Sequence, residues 1–346
     1  MSLHQLLKAL SEIVEENPEQ YRRYTPDLRD FYATWKENGL ANWELEDTYA
    51  FGTPAEDDVI DVLMIGNSHC YYYVEELNQL AENAGIKMRV CNLYYSGCPM
   101  TSHLKWWRTG EKKYQYFEAV GDKTVKTNGV SLEWALMQQQ WDVISFQLGG
   151  GETLTFPAEA SLDATREARQ VMFDYVREQF PEATLYHHQT WAYEEGHTRD
   201  NGFVMRDWEH QVEFTDHLRT IATGICQENN VARINTGDAW ELYRAACREA
   251  GIVYNLTARL GKDSLTGEAN SGDGTHDGDI GGGQLLNAYV WYEILTGLDC
   301  RENDFVPVYT YNGQTYTLEA SMVSMLQEAA HKAVTEILPT YPEHNN

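Results

Sequence analysis

The chain has 346 residues, enough for one large α/β domain with insertions, and its 42% hydrophobic and 23% charged residues are an ordinary globular composition. Lysine and arginine number 26 against 53 aspartates and glutamates, a net charge of −27. Such a surface repels nucleic acid and anionic membranes, and no basic run reverses this locally, so neither is expected as a partner.

The amino-terminal stretch "LHQLLKALSEIVEEN" has helical apolar spacing, and residues 1–55 read as a helical extension packed on the main domain. "DVIDVLMIG" is a continuous apolar run, the mark of a buried central strand. It turns sharply at Gly66-Asn67-Ser68, and a helix is expected to follow to Ala84. "IKMRVCNLYY" is a second strand, closed by "SGCP". Residues 114–127 read as a hairpin around Gly121-Asp122, within an insertion at about 110–130. "SLEWALMQQQ" is a helix capped by Ser131, and "WDVISFQ" a third strand ended by "LGGG".

A long helix follows over 157–180, then the strand "ATLYHHQTW", a helix over about 205–228, the strand "VARINTG" and the helix "DAWELYRAACREAG". The loop "LTGEANSGDGTHDGD" precedes "IGGGQLLNAYVWYEILTG", helical after its glycines. The tail, 304–340, holds a hairpin turning at Asn312-Gly313 and a last helix from about Ser321 to Leu338. Strands alternating with helices imply a mostly parallel sheet covered on both faces, whose ligands bind beyond the strands' carboxyl ends.

The six cysteines form no C-x-x-C pair and are too sparse for a disulfide scaffold, which favours a reduced cytoplasmic chain. No run reaches transmembrane length, and the amino terminus lacks the basic region and apolar core of a signal peptide; a leader removed ahead of this start stays open.

The polar residues at the strand ends carry the chemistry. Ser68 either caps the helix after the first strand or is a nucleophile presented there. A serine nucleophile needs a histidine base oriented by a carboxylate, and donors aimed at the developing oxyanion. "SGDGTHDGD" supplies Asp273 and His276 at a D-x-x-H spacing, with Asp277 and Asp279 as alternative acids. The Ser68 N–H and the N–H of Gly97, which has no side chain to block approach, are the candidate donors. His187 and His188 are adjacent on a strand, so they point to opposite faces and do not ligate one metal together. Cys98 lacks a nearby base and reads as a buried structural thiol. Trp191, His188 and Tyr95 are candidates for lining a substrate pocket; Trp106 and Trp107 serve either a pocket or packing.

These pieces resemble the SGNH-type (GDSL-like) hydrolases, in the branch whose first block reads G-N-S. The resemblance covers roughly 60–298: "IGNS", "NLYYSGCP", "WDVISFQ", and "DGTH" followed by "GGGQLLNAYVWYEILTG". It implies a flavodoxin-like α/β/α sandwich over 56–346. It also implies Ser68 as nucleophile with His276 and Asp273 as its partners, and an oxyanion hole from the Ser68 and Gly97 N–H groups, with no metal and no cofactor. The family's third block, G-x-N-D, is absent. Gln147 in "FQLGGG" is the candidate replacement donor, against a purely structural strand-end amide. The expected activity is hydrolysis of small acyl esters, O-acetyl groups on carbohydrates among them, which the 22 tyrosines and 10 tryptophans fit. A lipase- or thioesterase-like activity and a non-catalytic sugar-binding protein are the alternatives. Oligomeric state is not readable from the chain.

Overall fold

The computed structural model describes residues 58–70, 73–120, 123–193, 207–252, 282–311 and 314–344. The expected amino-terminal extension and the loop bearing Asp273, His276, Asp277 and Asp279 lie outside the described residues.

Seven strands form the main sheet: β1 (Val59–Gly66), β2 (Lys87–Tyr94), β3 (Tyr114–Val120), β4 (Lys123–Val130), β5 (Val143–Phe146), β6 (Thr184–His188) and β7 (Ala232–Ile234). Their order is β4-β3-β2-β1-β5-β6-β7. β2, β1, β5, β6 and β7 are parallel, and the β3–β4 hairpin adds antiparallel to β2. Without the hairpin this is the flavodoxin-like order, and the chain reverses direction of travel across the sheet at β1. A separate pair, β8 (Val308–Tyr311) and β9 (Gln314–Thr317), forms the carboxyl-terminal hairpin.

The central strands are apolar on both faces because both faces are covered. Val62 and Met64 of β1 join one core, and Leu63 and Ile65 the other, all four with no exposed surface. The first core is closed by α1 (Val74–Asn83), α7 (Thr236–Ala250), α8 (Gly283–Thr296) and α9 (Ala320–Lys332). The second is closed by α2 (Met100–Thr109), α3 (Leu132–Leu136), α5 (Ala158–Gln179) and α6 (Trp208–Asn229); a single turn, α4 (Gly150–Thr153), follows β5. α8 packs against α1, α7 and α9, so it is buried on nearly every side from Gly283 to Glu293 and has no polar face.

Several elements differ from the sequence reading. Helix α2, on residues given no secondary structure above, is preceded by the extended N-cap Pro99 and closed by the left-handed C-cap Gly110. α3 stops at Leu136, short of the expected 140. The Trp141 indole takes the Leu136 carbonyl at 3.1 Å, and Asp142 N–H already pairs with Asp61 ahead of β5. The last helix leaves α geometry at Ala333 for a π turn over Ala333–Ile337; Asn235 Nδ2 donates to the Ala333 carbonyl at 2.9 Å.

Candidate active site

β1 does not run straight into a helix. Residues Ser68–Cys70 form a 3-10 turn, closed by Cys70 N–H to the Asn67 carbonyl at 3.1 Å, and α1 begins only at Val74 with Tyr73 as its cap. Ser68 is therefore not the cap of α1. It is half-exposed between two buried neighbours, Asn67 and His69, at the carboxyl edge of the sheet where the strand order reverses.

Gly66 is forced by close approach: a Cβ there would sit 2.7 Å from Gln147 Oε1 and 2.9 Å from Cys70 Sγ. Gly97, beyond β2, has φ +62° and is exposed, a conformation that favours glycine. Among the described residues, neither the Ser68 N–H nor the Gly97 N–H has an acceptor. An oxyanion site requires N–H donors that no other acceptor already occupies.

Asn67 is 1% exposed and is the hub of the loops. Its Oδ1 accepts from His69 N at 3.1 Å and from Gln147 Nε2 at 3.1 Å, and lies 3.0 Å from His69 Nδ1. Its Nδ2 donates to the carbonyls of Cys98, at 3.4 Å, and Leu148, at 3.3 Å. Glu152 joins the same loops from outside, accepting from Gly149 N at 2.9 Å, Met100 N at 2.8 Å and Thr101 N at 3.3 Å. Burial raises its pKa, opposed by those three N–H groups.

Gln147 has no exposed surface, and its amide nitrogen donates to Asn67. This bond places it beneath the Ser68 turn, inside the loop network. His188 is equally buried. Its Nε2 lies 2.9 Å from Thr236 Oγ1 and 3.4 Å from Tyr73 OH, and burial holds its pKa well below the usual histidine range. It is a buried polar anchor. Trp191, 3% exposed, stacks face to face on Trp240 at 4.4 Å and meets His69 edge-on at 4.9 Å, so it backs the site from within the core. Tyr95 remains at the surface, 39% exposed, edge-on to Trp106 at 4.7 Å and two residues before Gly97. Trp107 is packed in the second core. All six cysteines are buried and in thiol form; burial pushes the Cys98 thiol up, away from thiolate chemistry.

The family model described as "Domain of unknown function (DUF4886)" matches residues 61–332. The chain belongs to the DUF4886 family. The DUF4886 match therefore runs from the middle of β1 to the end of α9 and takes in the whole Ser68 neighbourhood. A crystal structure of a DUF4886 family protein from Bacteroides uniformis is similar at 24% identity and TM-score 0.62, over 81% of this chain and 96% of that one, which shows the shared fold. A putative GDSL-like lipase from Parabacteroides merdae is similar at 15% identity and TM-score 0.41, over 69% of this chain and 95% of that one. A catalytic mutant of an acetylxylan esterase from Geobacillus stearothermophilus is similar at 14% identity and TM-score 0.39, over 68% and 94%. No curated protein matches the chain.

Within this DUF4886 fold, sequence reasoning missed Asn67 and Glu152. Asn67 was on view between Gly66 and Ser68. A side-chain amide in a tight turn is a recognised local hydrogen-bonding device, but the partners it has here are distant in sequence. Among the described residues, one mixed ligand-type cluster occurs, Glu293, Asp299 and Cys300, far along the chain from Ser68. No helix among the described residues is long and apolar enough to cross a membrane.

Proposed function

We propose that this protein is a serine hydrolase that cleaves small acyl esters, with Ser68 as the nucleophile. The observation that carries the reading is the setting of Ser68: a half-exposed hydroxyl at the sheet's reversal point, with unbonded Ser68 and Gly97 N–H groups among the described residues. In open α/β sheets this is where ligands bind.

In the proposed reaction His276 takes the Ser68 proton as the oxygen attacks the ester carbonyl, and Asp273 holds the imidazole. The carbonyl oxygen gains negative charge and draws on the Ser68 and Gly97 N–H groups. The alcohol leaves with the proton from His276. Water, deprotonated by His276, then attacks the acyl-serine and releases the acid. Tyr95, exposed on the Gly97 loop, is the aromatic we assign to the alcohol part, and O-acetyl groups on carbohydrates are the proposed substrates.

The test is a panel of p-nitrophenyl esters and acetylated sugars with wild type and Ser68→Ala. Turnover should drop about a thousandfold or more in the variant while circular dichroism stays native, as when one member of a catalytic unit is lost. Near wild-type turnover in Ser68→Ala would sink the reading.

A further inference from the structure

Three strand-end loops converge on one side chain. Asn67 belongs to the loop after β1, Cys98 to the loop after β2, and Leu148 to the loop after β5. The two carbonyls face Asn67 Nδ2, and the donors of His69 and Gln147 face Oδ1. A primary amide presents two donor hydrogens and two acceptor lone pairs. Neither Asp, which loses both donors, nor Leu, which loses everything, meets that set of partners.

We propose that Asn67 is the positioning residue of the site: its amide fixes the Ser68 turn against the Gly97 and Leu148 loops, so that the two oxyanion N–H groups are held at one spacing. Gln147 acts through it, as the donor that sets which edge of the Asn67 amide faces which loop. Cys98, whose carbonyl Asn67 holds, directly follows Gly97, so that bond restrains the loop two peptide units from the Gly97 N–H. The two Nδ2 bonds are long, at 3.4 and 3.3 Å, and each alone is weak; together they tie two loops that share no strand pairing. The inference rests on the serine-hydrolase reading for its catalytic consequence and on the hydrogen bonds alone for its mechanical one.

The test therefore has two arms. In Asn67→Asp, a carboxylate oxygen faces the carbonyls of Cys98 and Leu148. With p-nitrophenyl acetate, kcat should fall at least tenfold while KM stays within about twofold, because misplaced oxyanion donors act on the transition state. Backbone amide exchange should rise in 95–99 and 148–151 and stay unchanged in α5. Gln147→Leu keeps most of the volume and removes one bond; it should show a milder version of both effects and covers the case in which Asn67→Asp fails to fold. Wild-type exchange in both loops with kcat within twofold in a folded variant overturns the proposal. Ser68→Ala is run alongside: if its hydrolysis persists, the serine reading fails, and the exchange arm still decides whether Asn67 is the clamp.

Discussion

A serine hydroxyl attacks an ester at neutral pH only when a base takes its proton, and in the proposed reaction that demand falls on His276. Its protonation should extinguish activity, so kcat/KM is expected to decline as pH drops below roughly 6–7. Asp273→Asn should lower the rate by orders of magnitude, with the substrate panel as the readout; an inert Asp273→Asn beside an inactive Asp277→Asn would move the acid to Asp277. Ser68 and Gly97 could be picked from the chain because the signal is local: an apolar run, then a glycine-containing turn. Asn67 could not, since the carbonyls it holds lie 31 and 81 residues away. Gln147 shows the intermediate case. Its strand end was readable, but the direction of its side chain depends on which loop lies above it.

At the scale of elements, the strands of the sheet and its helices other than α2 and the short turn α4 were readable in the sequence among the described residues. The joints were not, because they are decided by tertiary capture, as with Trp141 on the Leu136 carbonyl. The carboxyl terminus is held the same way. Arg233, on β7 and without exposed surface, forms an ion pair with Glu343 and stacks over the Tyr341 ring at 3.6 Å. Tyr341 OH in turn donates to Asp238 Oδ2 at 2.8 Å, and Arg219 Nε reaches Asp238 Oδ1 at 2.6 Å. Removing one partner of a buried pair leaves an uncompensated charge and costs about 3–5 kcal/mol. Glu343→Gln should lower the denaturation midpoint accordingly in urea titration, and Arg233→Met combined with Glu343→Met should recover much of that loss.

For the molecule as a whole, acid stability is set by buried titratable groups of opposite sign. Burial lowers His103 and His187 to about 3, so both are neutral in the fold but charge in the unfolded chain near 6.5. Their contribution is full above pH 6.5 and is lost as pH falls. Asp61 is raised to about 6, by burial first, against the Arg89 charge that lowers it. Its contribution is full below the unfolded value near 3.8 and is lost as pH rises through 6. Going from pH 7 to 5 costs about 2 kcal/mol per histidine, and protonating Asp61 offsets about 1 kcal/mol. The two histidines outweigh Asp61, and His188 adds to them, while Glu152 and Glu241, raised by burial, act on the side of Asp61. The midpoint of unfolding should fall between pH 7 and 5, with net proton uptake on unfolding in calorimetry; a midpoint that rises over that range would contradict the balance.

The β3–β4 hairpin has a consequence for how copies of the chain meet one another. A parallel sheet ending at β2 would offer eight residues of strand edge with open N–H and C=O groups, a template on which another chain can polymerise. The hairpin occupies that edge, and its own outer strand is a poor template. Its pairing with β3 slips at Tyr114/Gln115, Gly129 turns with φ +69°, and Lys126 stands over the Phe117 ring. The opposite edge, β7, is three residues long. Replacing residues 113–130 by a short Gly-Ser linker should therefore leave a protein whose light scattering grows with concentration and time at a salt level that screens the −27 charge, while the wild type stays dispersed. The hairpin would then be a guard against self-templated assembly, independent of whatever Ser68 does.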